Sequence, residues 1–267
     1  MRPPNDAHAL PGAAASATDA ALRPLLAEAG AALRRHFRQV VAEQKADGTQ
    51  VSIADREAEA ILVSGLRAAF PDDAIRGEEG GGAGSEGANT WFIDPLDGTA
   101  AFLEGLPTFC TVLGRVNAAG ETTCGALYLP RVDEYFFFEH GVGAFRDGLR
   151  LPPLGPGRVH RNAILNIPSR LHAYARLDWP GKCRCLGSTA LHLALVATGA
   201  AAGALVGPGW MPWDTAAAFG LIRATGGVIR QLDGSPLDLR ADVGAPFIAG
   251  SAATVAWLAG TDRLHAR

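Results

Sequence analysis

The chain has 267 residues but lacks any apolar run near the roughly 20 residues that a membrane-spanning helix needs. We therefore expect no membrane insertion. It also lacks an excess of positive charge, because 24 Lys and Arg stand against 27 Asp and Glu, a net charge of −3. Nucleic-acid binders concentrate basic residues, often with aromatic ones between them, and no such cluster is present. The sequence therefore predicts no nucleic-acid partner.

Cysteine is scarce, with four residues in the whole chain. Cys183 and Cys185 form a C-x-C pair, but no second ligand pair follows at zinc spacing, which argues against a zinc site. The first residues, MRPPND, lead into small and polar residues instead of the apolar segment of a secretory signal. We therefore expect a cytoplasmic protein with free thiols.

Hydrophobic residues make up 48% of the chain, which is typical of a globular protein with a buried core. Residues 1–17, rich in Pro, Ala, Gly and Ser, predict a flexible N-terminal arm. A Pro- and Gly-rich stretch at 150–158 predicts a boundary. The sequence thus divides into an N-terminal half, 18–150, and a C-terminal half, 151–267.

Hydrophobic periodicity predicts two helices in the N-terminal half, from about residue 18 to 43 and from 54 to 70. Apolar runs then predict strands of an antiparallel sheet, at 91–93, 109–116, 125–129 and 135–139. The C-terminal half alternates predicted strands and helices, at 163–167, 188–198, 203–206 and 215–225. The fold class is therefore α+β in the first half and α/β in the second.

The segment WFIDPLDGT carries the most chemical information. An apolar strand delivers Asp94 and Asp97, and the proline between them fixes a bend that directs both carboxylates and the Leu96 carbonyl towards one point. Oxygen ligands of this kind suit Mg²⁺. The amides of Gly98 and Thr99 are placed to hold a phosphate oxygen. Taken alone, the segment is equally well explained as a surface turn.

Other acidic residues are weaker candidates for metal ligands when each is considered alone. Glu78 and Glu79 follow a short apolar segment, and as an isolated pair they are more simply explained as solvated loop acids. Asp55 and Asp214 each stand at the start of a predicted helix, where a plain N-cap is the simpler explanation. These residues become informative only in combination with the aspartate pair.

In this order, the segments resemble the signatures of the inositol monophosphatase family. Its superfamily of Mg²⁺-dependent phosphomonoesterases also includes fructose bisphosphatases, bisphosphate nucleotidases and a histidinol-phosphatase branch. The resemblance spans residues from about 20 to 260, and it rests on the motifs GEE, DPLDGT and WDTAA, and more loosely on Lys45-x-Asp47, Ala54-Asp55, GVGAF and ATGG. It implies a layered αβαβα sandwich, with an N-terminal antiparallel sheet and a C-terminal α/β part.

The resemblance also implies roles for single residues. Glu78, Asp94 and the Leu96 carbonyl would hold one Mg²⁺. Asp94, Asp97 and Asp214 would hold a second, with Asp94 shared between the two. Glu78 would help to bind a weaker third ion, and Mn²⁺ is an alternative metal.

The expected reaction is direct attack of metal-activated water on the phosphate, with no phosphoenzyme. Thr99 would hydrogen-bond that water with support from Asp55, and Glu78 would help through its ion. The substrate phosphate would lie against the Gly98 and Thr99 amides, bordered by Asp97 and Asp214. No catalytic Cys or Ser motif is present, which agrees with a reaction that depends on positioning and charge neutralisation. The resemblance further implies a homodimer.

The substrate is left open by departures from the inositol-type pattern. Inositol-type members continue DGT with TNF, whereas this chain has Ala100 and Ala101. They also place a sugar-binding glutamate where this chain has Gly207, so the polar contact for inositol is missing. Histidinol phosphate, a 3′-phosphoadenosine-type nucleotide bisphosphate and a sugar phosphate remain alternatives to inositol phosphate. A minor alternative from another class is a non-catalytic regulatory binding protein.

His192 stands in a predicted helix where the family often has an aspartate. The sequence leaves it open whether this side chain contacts substrate or packs in the core.

Overall fold

The computed structural model describes residues 10, 12–39, 43–44, 50–80, 82–83, 89–259 and 263–266. The Lys45-x-Asp47 match lies outside them. Helices in the described residues are α1 (Ala17–His36), α2 (Ile53–Ala69), α3 (Thr99–Leu103), α4 (Leu171–Tyr174), α5 (Thr189–Ala197), α6 (Pro212–Ala224) and α7 (Ala252–Leu258).

Strands in the same part of the chain form two larger sheets and two small ribbons. They are β1 (Glu43–Gln44), β2 (Gln50–Val51), β3 (Ala74–Gly77), β4 (Gly82–Ala83), β5 (Asn89–Asp97), β6 (Cys110–Asn117), β7 (Thr122–Leu129), β8 (Glu134–Glu139), β9 (Gly143–Arg146), β10 (Leu149–Arg150), β11 (Ile164–Asn166), β12 (Ala175–Leu177), β13 (Lys182–Arg184), β14 (Gly203–Val206), β15 (Val228–Gln231), β16 (Phe247–Gly250) and β17 (Leu264–Ala266). The ribbons pair β1 with β2 and β12 with β17.

The large sheet has eight strands in the order β10-β9-β8-β7-β6-β5-β3-β4. From β5 to β10 each strand pairs antiparallel with the next, which confirms the predicted antiparallel sheet. The sequence did not predict that β3 joins parallel to β5, with Gly77 opposite Ile93. This pairing brings the residues that follow β3 alongside Asp94.

Helix α1 is shorter than its sequence pattern predicts. It begins after Ser16, whose hydroxyl accepts a hydrogen bond from the Asp19 amide at 3.2 Å. The predicted extension to about residue 43 is wrong, because α1 ends at His36. Phe37 has a ψ of 124° and Arg38 a φ of 62°, and neither conformation continues an α-helix.

The small sheet has five strands in the order β13-β11-β14-β16-β15. β11 pairs parallel with β13 and β14, whereas β16 pairs antiparallel with β14 and β15. The helices predicted at 188–198 and 215–225 are confirmed as α5 and α6. The sheet is therefore mixed, with a parallel part that matches the predicted α/β arrangement.

The elements stack in five layers. α1 and α2 cover one face of the large sheet, α5 and α6 lie between the two sheets, and α7 packs on the outer face of the small sheet. Alternate residues of β7 show the two faces, because Leu127 lies in the core with α5 and α6, while Ala126 lies in the core with α1 and α2. The predicted αβαβα order is confirmed.

Two glycines allow α6 to approach the large sheet closely. A Cβ at Gly114 on β6 would stand 2.6 Å from the Cβ of Ala216, and one at Gly125 on β7 would stand 2.6 Å from the Cα of Ala217. Only residues without a side chain leave room for the helix at these positions. Helix α6, which carries Asp214, is thereby held against the large sheet, whose strand β5 carries Asp94 and Asp97.

None of the helices in the described part of the chain has the length and apolar character to span a membrane. The large sheet ends at Arg150 and the small sheet begins at Ile164. One apolar core nevertheless contains residues from both sheets together with α5 and α6. The division into an arm (1–17) and two halves (18–150 and 151–267) stays a prediction.

Candidate metal centre

Asp94 and Asp97 lie where β5 leaves its regular pairing with β6. Asp94 is opposite Val112, but Asp97 is opposite Cys110, so the register shifts between them. Such a bulge redirects side chains at the end of a strand. Both carboxylates are buried, with 2% and 7% of their surface exposed. The Leu96 amide donates to Oδ1 of Asp94 at 2.9 Å and holds that carboxylate in place.

The parallel strand β3 delivers Glu78 to the same place. The Glu78 amide donates to the carbonyl of Ile93 at 3.1 Å, which continues the pairing one residue beyond β3. The Glu78 side chain hydrogen-bonds that of Asp94. The Glu79 amide donates to Oε2 of Glu59 on α2 at 2.9 Å, which anchors the turn that carries the pair. Glu78 is therefore the glutamate that meets the aspartates.

Asp214 arrives from the other half of the chain, as the third residue of α6. Its Oδ2 accepts a hydrogen bond from the Met211 amide at 2.7 Å, and Pro212 at the first helical position suits the helix start. Carboxylate oxygens of Asp94, Asp97 and Asp214 lie within 4.8 Å of one another. The structure thus brings together three predicted ligands from two distant segments, with the fourth, Glu78, beside them.

Sequence reasoning missed the partners of Asp97. The Ser188 hydroxyl and the Ala190 amide donate to its Oδ2, the amide at 2.7 Å, and the Thr189 amide donates to its Oδ1 at 3.3 Å. Asp97 therefore sits at the N-terminus of α5, where the helix dipole favours a negative charge. The signal for this contact was the serine directly before a predicted helix, but nothing local in the sequence identifies its carboxylate partner.

The carboxylates of this cluster are buried and repel one another. Burial raises the pKa of Asp94 and of Asp214 well above the usual range, and the neighbouring acidic groups raise both further. Burial also raises the pKa of Asp97 to about 6. Within the described residues, none of the three forms a salt bridge with Lys, Arg or His.

The residues present fit a divalent metal. All of the converging donor atoms are oxygens, which hard cations prefer, and a bound cation relieves the repulsion among the buried carboxylates. The cluster of Asp94, Asp97 and Asp214 is the group within the described residues whose geometry suits an ion.

Asp55 and Thr99 meet at the edge of this cluster. Thr99 Oγ1 lies 3.1 Å from the Leu96 carbonyl and 3.4 Å from Oδ1 of Asp55. Oδ2 of Asp55 accepts hydrogen bonds from the Ser52 amide at 2.8 Å and hydroxyl at 2.7 Å. The N-cap of α2 is therefore Ser52, and Asp55 completes its capping box from the third helical position while also neighbouring Thr99. Burial raises the pKa of Asp55. Gly98, with a φ of 98°, makes the left-handed turn that starts α3.

His192 lies away from this arrangement of acids, in the body of α5. Its Nε2 accepts a hydrogen bond from the Leu186 amide at 2.8 Å, and burial lowers its pKa to about 4. A neutral imidazole therefore holds the loop that precedes Ser188. Cys183 and Cys185 are free thiols on the surface, outside the acidic cluster.

A buried carboxylate cluster where β3, β5 and α6 of a layered α+β fold meet is suited to metal-dependent phosphomonoester hydrolysis. The chain belongs to the inositol monophosphatase family, whose family model matches residues 15–259. This membership confirms the predicted family, the layered fold and the prediction of a phosphatase.

Individual relatives agree in sequence and in structure. The inositol-1-monophosphatase of Mesorhizobium japonicum is 35% identical over 228 residues, which are 78% of this chain and 82% of the relative. The fructose-1,6-bisphosphatase/inositol-1-monophosphatase of Thermotoga maritima is 34% identical over 226 residues, which are 79% of this chain and 83% of the relative. The crystal structure of extragenic suppressor protein suhB from Bartonella henselae matches with a TM-score of 0.80 at 28% identity, covering 91% of this chain and 97% of that one.

Proposed function

We propose that the chain hydrolyses small-molecule phosphate monoesters with Mg²⁺ bound at the carboxylate cluster. The observation that carries this proposal is the convergence of Asp94, Asp97 and Asp214, whose oxygens lie within 4.8 Å of one another. A buried cluster of this kind costs free energy unless cations bind to it. The substrate phosphate is itself negatively charged, so it needs the positive surface that bound cations provide.

In this proposal, Glu78, Asp94 and the Leu96 carbonyl hold one ion, while Asp94, Asp97 and Asp214 hold a second. Glu78 contributes to a weaker third ion, and Mn²⁺ substitutes for Mg²⁺. The hydrogen bond between Glu78 and Asp94 and the oxygen-only donor set support the assignment. When bound, the ions neutralise charge on the phosphate and lower the pKa of a water near it.

The chain's own residues orient the reactants. Thr99 Oγ1 lies 3.1 Å from the Leu96 carbonyl, which holds an ion in this proposal, and 3.4 Å from Oδ1 of Asp55. With the carbonyl engaged by the ion, the hydroxyl proton points to Asp55 and the oxygen accepts a hydrogen bond from the attacking water. The amides of Gly98 and Thr99 hold a phosphate oxygen. Asp97 and Asp214 border the space for the phosphate. The hydrogen bonds that they accept from α5 and from the Met211 amide hold both carboxylates in position.

Within the described residues, Ser188 and Cys110 lie beside Asp97, but neither is suited to form a phosphoenzyme. The Ser188 hydroxyl is buried and donates to Asp97. Cys110 lies beside the same carboxylate, but burial raises the pKa of its thiol well above the usual range, which keeps it protonated. We therefore propose direct attack by water with inversion at phosphorus.

Two groups of phosphate esters are candidate substrates, and different observations favour each. Relatives named inositol-1-monophosphatase and fructose-1,6-bisphosphatase/inositol-1-monophosphatase favour inositol and sugar phosphates. Gly207, Ala100 and Ala101 favour an ester without a ring of hydroxyls to satisfy, such as histidinol phosphate or a 3′-phosphoadenosine-type bisphosphate. A homodimer and a cytoplasmic location are further proposals, and the absence of a nucleic-acid partner stays a prediction.

A substrate panel tests the proposal. Phosphate release is measured with Mg²⁺ or Mn²⁺ from inositol phosphate, fructose bisphosphate, histidinol phosphate and adenosine 3′,5′-bisphosphate. We expect metal-dependent release from at least one ester, and its loss in Asp214→Asn. Asp233→Asn is the matched control, because Asp233 is an exposed turn residue. No release by the folded wild type from any ester would favour the non-catalytic alternative.

A further inference from the structure

A cavity here called the arginine cavity adjoins the metal centre at Trp213, the residue before Asp214. Its volume is about 290 Å³, and its walls include Arg76, Phe92, Met211, Trp213 and Arg240. None of the proposed metal ligands lines it. This size is close to the lower end of small-molecule binding sites, about 300 Å³.

Two residues that line the arginine cavity precede proposed metal ligands by two positions in the sequence. Arg76 and Phe92 are paired across β3 and β5, and each stands two residues before an acidic ligand, Glu78 and Asp94. Residues two apart on a strand share a face of the sheet, so the cavity and the metal centre occupy successive positions on one face.

Met211 connects the arginine cavity directly to a proposed metal ligand. Met211 lines the arginine cavity, and its amide donates to Oδ2 of Asp214 at 2.7 Å. A ligand that moves Met211 therefore also moves the donor that orients Asp214.

The lining is unusual for the surface of an acidic protein. The described residues that line it include two arginines and no carboxylate, although the whole chain has a net charge of −3. The carboxylate of Asp238, outside the lining, interacts with Arg240. Two of its apolar side chains, Met211 and Val243, are 37% and 38% exposed and belong to the few large hydrophobic residues so exposed in the described part of the chain. Arg240 donates to the carbonyl of Ala118, which holds its side chain at the cavity.

We propose that the arginine cavity binds a small organic anion with an aromatic or apolar body, and that its occupation changes the affinity of the metal centre. Guanidinium groups recognise carboxylate or sulfonate oxygens, while Trp213 and Phe92 offer aromatic surface to the rest of the ligand. Anion binding at the cavity does not depend on the proposed function. The effect on the metal centre rests on it.

Anilinonaphthalene sulfonate, an aromatic anion whose fluorescence rises in apolar surroundings, is the probe for binding. We expect wild-type, metal-free protein to bind one probe molecule per chain at this cavity. Arg76→Gln and Arg240→Gln each remove a charged donor and are expected to raise the probe's dissociation constant roughly tenfold. Val243→Trp fills the cavity and is expected to abolish binding.

Matched variants elsewhere separate this site from general adhesion. Arg150→Gln changes an arginine in a larger cavity of about 730 Å³, and Val132→Trp adds the same bulk at a side chain that is 53% exposed. Neither is expected to change probe binding. Equal binding by wild type, Arg76→Gln and Val243→Trp, or loss of binding in Arg150→Gln, would overturn the proposal.

The effect on the metal centre is tested with Mn²⁺, measured by electron paramagnetic resonance with and without saturating probe. We expect the probe to change the dissociation constant of Mn²⁺ about threefold or more, and saturating Mn²⁺ to change that of the probe by the same factor, because linkage is reciprocal. Asp214→Asn is expected to bind the probe while losing Mn²⁺. Unchanged Mn²⁺ affinity with the probe bound would refute the coupling, whereas absence of Mn²⁺ binding in wild type would refute the proposed metal centre.

Discussion

Asp73 and Asp94 are both buried, but the protein treats their charges differently. Asp73 accepts two hydrogen bonds from Arg115, at 2.7 and 2.9 Å, and a third from Nε1 of Trp91 at 3.0 Å. Asp94 has no arginine partner in the described residues. Its neighbours are instead other acids, including Glu78 and Asp97.

Asp19, like Asp73, is a buried carboxylate paired with an arginine. It is fully buried, forms a salt bridge with Arg23, and accepts a hydrogen bond from the Tyr135 hydroxyl at 2.6 Å. At Asp19 and Asp73, the fold thus places an arginine beside a buried carboxylate and neutralises its charge. The uncompensated charge of the metal centre is therefore a property of that site, available for cations from solution.

Asp94→Asn is expected to have the largest effect on activity. We expect phosphate release to fall at least about 1,000-fold, because Asp94 is the ligand shared by both proposed ions. The metal-free variant is expected to be more stable than wild type, since one of the mutually repelling charges is removed while Oδ1 still accepts from Leu96. Phosphate assays and thermal unfolding with a chelator measure the two effects. A less stable metal-free variant would contradict the electrostatic argument.

Asp73→Asn makes the matched change at a paired carboxylate. It leaves Arg115 without its charged partner, and because that side chain is 29% exposed we expect a loss of roughly 2–3 kcal/mol in the free energy of unfolding. Activity per folded molecule is expected to stay near wild type. Urea unfolding gives the stability. A stabilised Asp73→Asn protein would show that the two kinds of site do not differ as described.

His192 is a buried base without a neighbouring charge, among the described residues, to stabilise its protonated form. Its folded-state pKa of about 4 lies below its ordinary value of 6.5, so the unfolded chain binds a proton that the folded protein does not. Stability is therefore lost as the pH falls from about 6.5 towards 4, by about 2 kcal/mol at pH 5. His192→Gln, which keeps an acceptor near the Leu186 amide, should reduce this loss. An unchanged difference in unfolding free energy between pH 7 and pH 5 would count against it.

The smallest expected effect tests how Asp97 is positioned. Ser188→Gly removes the hydroxyl that donates to Asp97 but costs α5 only a few tenths of a kcal/mol as a cap. We expect Mn²⁺ affinity to fall about tenfold, with recovery in Ser188→Thr. Ser251→Gly is the control, because Ser251 caps α7 away from the cluster. Equal Mn²⁺ affinity in both glycine variants would leave Ser188 with a capping role alone.

Much of the fold was predictable because its signals are local. Alternating and helical apolar patterns located most of the antiparallel strands and the two long N-terminal helices. The end of α1 was not predictable, because the apolar pattern continues past His36 while the backbone turns at Phe37 and Arg38. The parallel pairing of β3 with β5 was also missed, since strand direction depends on long-range packing.

The site was predictable in its ligands but not in its supports. The residue types and order of Glu78, Asp94, Asp97 and Asp214 pointed to a family and hence to a cluster. The Ser188 and Ala190 donors to Asp97 were not found, because they are contributed by a helix from the other half of the chain. The arginine cavity was missed for the same reason.

By itself, the sequence determined the family of this protein and the oxygen donors it offers, because motifs and turn residues act over a few neighbouring positions. Only the tertiary structure decided that a strand edge, a bulge and two helix N-termini place these donors within a few ångströms. Their meeting depends on the close packing of α6 against Gly114 and Gly125, which no local pattern specifies.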